Sequence, residues 1–178
     1  MRYFDKMRGG TRSPPRVRPA EVIWSWVGAF LGIGLVGYLD QRLSAGRDSV
    51  LLIGSFGASA VLVYGAPRSP LAQPRNVLGG HVVSAVVGVA SYQTLHSWPW
   101  LAAATAVATA IALMHLSRTL HPPGGATALI AVIGGPKIHA LGYLYALVPA
   151  GFGALLLLAV GLLVNNLARE RSYPEFWV

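Results

Sequence analysis

The chain has 178 residues, 54% of them hydrophobic and only 11% charged, with 14 Lys and Arg against 6 Asp and Glu and no cysteine. Soluble domains carry about twice that share of charge, so the composition excludes a soluble globular protein and points to an integral membrane protein. Without cysteine there is no disulfide, thiol or iron–sulfur chemistry. The formal net charge of +8 is not a nucleic-acid surface. Arg2, Lys6, Arg8, Arg12, Arg16 and Arg18 form a Pro/Gly-punctuated leader before the first apolar segment. Residues 1–20 therefore read as a basic cytoplasmic tail that fixes orientation, without the h-region and cleavage site of a signal peptide.

Residues 22–39 form the first predicted helix, with Trp24 and Trp26 at its headgroup end and Gly28, Gly32 and Gly37 as a small-residue packing face. A polar loop follows at 40–49. Residues 50–64 are apolar but short for an upright span. A loop at 66–76 carries Arg68 and Arg75, and a full-length helix covers 77–95. After a turn at 96–99 comes an Ala-rich helix at 100–117. Residues 122–135 are a second short apolar segment, and 141–163 the last long helix. A basic, aromatic tail at 167–178 closes the chain, with Tyr173, Phe176 and Trp177 expected as an interfacial belt.

All six carboxylates (Asp5, Glu21, Asp40, Asp48, Glu170, Glu175) lie near the termini or in the 40–49 loop, so no apolar segment contains an acid. If both short segments are re-entrant, there are four spans. If both cross, Arg68, Arg75, Arg118, Arg169 and Arg171 join the leader inside, against Arg42, Arg47 and Lys137 outside. The positive-inside rule favours six crossings with both termini cytoplasmic. The expected fold is thus all-α and polytopic, with about six membrane-embedded segments, four long and two short and broken.

The two short segments resemble each other. Gly57-Ala-Ser-Ala-Val-Leu-Val-Tyr-Gly-Ala-Pro-Arg68 matches Gly125-Ala-Thr-Ala-Leu-Ile-Ala-Val-Ile-Gly-Gly-Pro-Lys137 with one inserted residue. A repeat of three segments per half is a 3+3 inverted repeat, with its site between the halves. Each short segment reads as an extended stretch to mid-membrane followed by a helix beginning near Gly57 or Gly124. Such backbone is tolerated only where it is buried in protein or lines a cavity.

Two helix N-termini meeting near the midplane present free N–H groups and partial positive charge. Gly57, Ala58, Gly124, Gly125 and Ala126 let a ligand approach the backbone, and Ser59 and Thr127 add hydroxyl donors. That constellation suits an anion, and the missing buried acids argue against a cation or metal. Tight packing alone also explains the glycines and alanines. His121 heads the second short helix and can change charge near neutral pH. The alternative is a neutral ring bonded to a carbonyl freed by Pro122. His81 and Arg75 are accessory candidates, with packing and a headgroup contact as their alternatives. The histidines show no metal-ligand spacing, and no cofactor is implied.

The stretch His121-Pro-Pro-Gly-Gly-Ala-Thr-Ala-Leu129 resembles the HPP family of integral membrane proteins. The resemblance continues through Ile-Gly-Ser-Phe-Gly-Ala-Ser-Ala at 53–60, Ser-Pro-Leu-Ala-Gln-Pro-Arg-Asn-Val-Leu-Gly-Gly-His at 69–81, Asn165-Asn166 and Tyr173-Pro174, covering residues 18–178. This chain has Gly124 where the family often has Ala. The family is usually described with four transmembrane helices, against six segments here. Chloroplast and cyanobacterial members are associated with nitrite transport. The resemblance implies an HPP-type transmembrane domain over 21–166 and a small monovalent anion as substrate, nitrite first, in a multi-pass protein of a bacterial-type cell membrane. A non-transporting membrane partner or assembly protein is the alternative; an enzyme lacks a nucleophile–base pair, and self-association is open.

Overall fold

The computed structural model describes residues 3–7, 13, 15–44 and 50–178. Arg2, Arg8 and Arg12 of the expected tail, and Arg47 and Asp48 of the expected loop, lie outside them. Every regular element among the described residues is helical. Besides 3-10 turns at Tyr3–Met7 and Pro70–Ala72, the helices are α1 (Pro19–Ser44), α2 (Ser55–Gly65), α3 (Pro74–Leu95), α4 (Pro99–Leu116), α5 (Pro122–Ile133), α6 (Gly135–Leu141) and α7 (Ala146–Leu167). Proline occupies the first turn of α3, α4 and α5, where its missing N–H costs nothing and its fixed φ favours the helix.

Several boundaries differ from expectation. α1 runs beyond residue 39 because nothing in Asp40-Gln-Arg-Leu43 breaks a helix. Asp40 then accepts the Leu51 N–H at 2.6 Å, tying the next segment to that end of α1. α2 begins at Ser55, two residues before Gly57, and widens into a π-type turn over Val61–Gly65. The helix expected over 141–163 starts at Ala146. Residues 135–141 instead form α6, bounded by Gly135 (φ 79°) and Gly142 (φ 51°), a conformation that glycine adopts without steric penalty. Of the four long helices, α1, α4 and α7 are long and apolar enough to cross a membrane by length and composition. α3 has 22 residues but carries Arg75, Asn76, His81, Ser84 and Ser91.

Contacts fix the direction of each segment. Arg171 pairs with Glu21 at 2.8 Å and Arg18 pairs with Glu170, so α1 begins and α7 ends at one face, the tail face. The segment through α2 starts beside Asp40 at the opposite face, where Leu51 is tied, and finishes at the tail face, where Arg171 donates to the Tyr64 carbonyl at 3.0 Å. α3 leaves the tail face and α4 returns to it, since Arg75 donates to the Ser117 carbonyl at 2.9 Å. The segment through α5 then runs to the opposite face, where the His139 ring stacks on Tyr92 near the end of α3 at 3.7 Å. Each of the six apolar segments therefore runs from one face of the bundle to the other.

α3, α4 and α5 pack as one group and α1, α2 and α7 as another; α2 against α5 and α3 against α7 join them. The α3–α5 crossing is close. A Cβ on Gly88 would lie 2.5 Å from the Ala128 carbonyl oxygen, and one on Gly124 2.8 Å from the Gly80 carbonyl oxygen. Small residues one turn apart on both helices allow this approach, which in lipid replaces hydrophobic drive with van der Waals contact. On α1, Gly28 and Gly32 face the Tyr64 ring, whose hydroxyl donates to the Leu157 carbonyl at 2.9 Å. The glycine face expected on α1 thus accommodates one tyrosine from α2. Tyr173, expected in an interfacial belt, is buried: its hydroxyl donates to the Ala72 carbonyl at 2.6 Å.

Candidate functional site

α2 and α5 lie side by side in opposite directions. Ser59 faces His121, and Ser55 faces Thr127. The two N-termini therefore overlap flank to flank rather than meeting end to end, and what they enclose is a set of side chains. Ser55 and Ser59 are one helical turn apart and project to the same side of α2. His81 comes from α3, and Thr127 from the second turn of α5. His121 stands immediately before α5 in extended conformation (φ −140°, ψ 104°), the geometry that a following proline imposes.

Short hydrogen bonds connect these groups into one line. His121 Nδ1 lies 2.7 Å from the Leu71 carbonyl oxygen. His121 Nε2 lies 2.9 Å from Ser59 Oγ, which is 2.7 Å from His81 Nε2. His81 Nδ1 lies 2.7 Å from Thr127 Oγ1, and that hydroxyl is 2.8 Å from Ser55 Oγ. The five side chains are between 0% and 1% exposed. The imidazoles sit edge to face with centroids 5.1 Å apart, and Phe56 closes the other side of His81 at 5.3 Å. No buried side-chain nitrogen or oxygen among the described residues lacks a partner. That matters because an unpaired buried polar group costs about 1–3 kcal/mol.

The α3 glycines explain how His121 reaches this position. A Cβ on Gly80 would stand 2.5 Å from His121 Cβ, and one on Gly79 2.5 Å from Thr119 Cγ2. Gly79-Gly80 thus lets the extended Thr119-Leu120-His121 stretch lie directly on α3, one residue before His81.

Of the candidate residues, Ser59, Thr127, His121 and His81 converge. Gly124 is buried against α3, where it sets the helix approach. Gly57 and Ala58 are exposed on the outer side of α2. Gly125 and Ala126 line a separate apolar cavity of about 520 Å³ with Val107 and Ile111 of α4. Arg75 is bonded to the Ser117 carbonyl, away from the histidines. Two members are additional to the candidates: Ser55, signalled by its spacing of four from Ser59, and the Leu71 carbonyl, which has no side-chain signal.

A second polar centre lies at the tail face. Arg171 is buried and spends its donors on Glu21, the Glu21 carbonyl, Ser25, Asn165 and the Tyr64 carbonyl, all at 2.9–3.0 Å. It fastens the C-terminal segment to α1 and α2. The Tyr173 phenol, held out of water nearby, is pushed above its ordinary ionisation range by burial.

A bundle of apolar helices around a buried histidine–hydroxyl line defines a polytopic α-helical membrane protein with a polar centre. The chain belongs to the HPP transmembrane family: the family's transmembrane region matches residues 14–174. It is similar to two transmembrane proteins of Dictyostelium discoideum. One is 46% identical over 181 residues, covering 99% of this chain and 58% of the relative. The other is 44% identical over 183 residues, covering 99% and 64%. The chain thus spans about three fifths of the length of these curated relatives. No solved structure matches.

Proposed function

We propose that this protein is a transporter or channel for a small monovalent anion, with nitrite the first substrate to test, and that the anion passes through the region where α2 and α5 overlap. The observation that carries this reading is a buried cluster of hydroxyls and imidazoles, on two matched short helices, with no carboxylate among them. Ser59 and Thr127 occupy equivalent positions in the two copies of the repeat, and each also lies 3.3 Å from a carbonyl four residues earlier in its own helix. The pairing of α1 with α7 and of α4 with α3 exchanges partners between the halves, which supports the inverted-repeat reading. The excess of bases at the tail face supports two cytoplasmic termini in a cell membrane. Nitrite itself rests on the family resemblance. In the closed arrangement the hydroxyls serve one another, so an entering anion replaces bonds within the cluster.

The test is anion flux into proteoliposomes, comparing nitrite, nitrate, formate and chloride with and without a pH gradient. Ser59→Ala or Thr127→Ala should weaken uptake about tenfold or more, because a hydrogen bond to a charged group is worth about 1.5–3 kcal/mol. The closed, fully satisfied cluster also favours a second reading, a membrane assembly partner without transport. Absence of flux for all four anions selects that reading.

A further inference from the structure

Two imidazoles bridged by one hydroxyl, buried and bonded to no carboxylate among the described residues, have a chemistry that anion binding does not require. We propose that His81, Ser59 and His121 form a proton-binding relay that holds one shared proton, with Thr127 and Ser55 fixing the His81 ring. Its use as the coupling ion rests on the transport reading above; the residence of the proton does not.

The Leu71 carbonyl can only accept, so His121 Nδ1 carries hydrogen. Thr127 donates to Ser55 at 2.8 Å, so the His81 Nδ1 beside it also carries hydrogen and donates to Thr127. With both rings neutral, both Nε2 atoms then face the Ser59 hydroxyl, whose single hydrogen can serve only one of them. One added proton, taken from water, protonates either Nε2; the ring that takes it donates to Ser59, and Ser59 donates to the other ring.

One proton has entered and one imidazolium results. With the charge on His121, that ring donates from both nitrogens, to Leu71 and Ser59, and Ser59 donates to His81. Passing the His121 Nε2 proton to Ser59 and the Ser59 proton to His81 moves the charge to His81 with the same distances, and in both cases His81 donates to Thr127 and Thr127 to Ser55. A second proton would put two cations in rings 5.1 Å apart, so the pair takes one.

Among the described residues, the other titratable side chains around the pair are engaged elsewhere. α2 contributes Phe56 and the two serines, α5 contributes Thr127, and Tyr145, immediately before α7, donates its hydroxyl to the Thr127 carbonyl at 3.1 Å. On α3, Arg75 is engaged by Ser117; on the loop between α2 and α3, Arg68 donates to the Glu170 carbonyl at 2.9 Å. From α4, Met114 packs beside Gly124, and His115 is exposed. Glu21, Glu170 and Glu175 pair with Arg171, Arg18 and Arg68, and Asp40 accepts from Leu51.

The experiment uses the full chain in lipid nanodiscs with isotope-labelled histidine, followed by NMR as pH is lowered from about 8 to 5. The ring nitrogens of His81 and His121 are expected to move in one joint transition. Ser59→Ala should uncouple them, and Ser59→Thr, which keeps the hydroxyl, should restore the joint transition. Independent transitions in the wild-type protein, or a joint transition indifferent to Ser59→Ala, overturn the shared proton. Proteoliposomes carrying an internal pH dye then separate the two readings. Lumenal acidification accompanying nitrite uptake, reduced about tenfold in Ser59→Ala, supports the relay. Anion uptake without proton movement in the wild type overturns coupling and leaves transport standing. A joint transition with no anion flux supports the proton site and overturns the transport reading.

Discussion

Ser59 and Arg171 show how much a single residue can hold in this fold. Ser59 is the one group bonded to both imidazoles. Replacing it with alanine strands two ring nitrogens and should destabilise the protein by about 1–3 kcal/mol, read as a lower unfolding midpoint in detergent. Ser59→Thr should recover most of that loss. Arg171 has five donors and fills all of them, with a side chain 2% exposed against 28% for Glu21. Lysine has three donors on a point charge and cannot reproduce the planar fork. Arg171→Met should cost about 3 kcal/mol, near the lower end for breaking a buried pair because Glu21 keeps some water. Arg171→Lys should recover only part of it. If Arg171→Met unfolds at the wild-type midpoint, the fastening of the C-terminal segment to α1 is not what stabilises the bundle.

At the scale of elements, the α3–α5 crossing decides where the histidines meet. Gly88→Ala pushes a methyl group into the Ala128 backbone carbonyl, which cannot move without α5, and should cost about 1–3 kcal/mol by overpacking. Gly57→Ala is the counterpart: a Cβ there meets nothing within 4 Å, so it should be neutral or stabilise α2 by up to about 1 kcal/mol. Unfolding midpoints of the two variants test this directly, and equal effects would remove the argument from close approach. The elements differ in legibility for the same local reasons. Pro74, Pro99 and Pro122 announce helix starts, and Pro122 forces His121 into extended backbone. α6 is hidden because glycine breaks a helix only when its φ turns positive, and sequence does not reveal that at Gly135 or Gly142. The pairing of His81 with His121 is hidden too, since it depends on Gly79-Gly80 admitting a segment 40 residues away. Arg171 is indistinguishable in sequence from a headgroup arginine; only the fold brings Glu21, Ser25 and Asn165 around it.

For the whole molecule the open quantity is how the bundle sits in the bilayer. α1 has 26 residues and spans about 39 Å at 1.5 Å per residue, more than the roughly 30 Å hydrocarbon core. α2 and α5 have 11 and 12 residues and cover about half of that core as helix. Non-helical residues, 50–53 and 119–121, supply the remaining length, with Leu51, Ile53, Thr119 and His121 buried among neighbouring helices. On the proposed topology the six traversals of the bundle are six crossings of the membrane, with the 66–73 loop on the side of the tails and α6 on the other. Because the chain has no native cysteine, single cysteines introduced at 65–69 and at 136–138 can be labelled without background. With an impermeant reagent on oriented vesicles, the first set should react from the cytoplasmic side and the second from the opposite side. Reaction of both sets from one side would make the short segments re-entrant, restore a four-span topology, and remove the antiparallel crossing on which the proposed anion path depends.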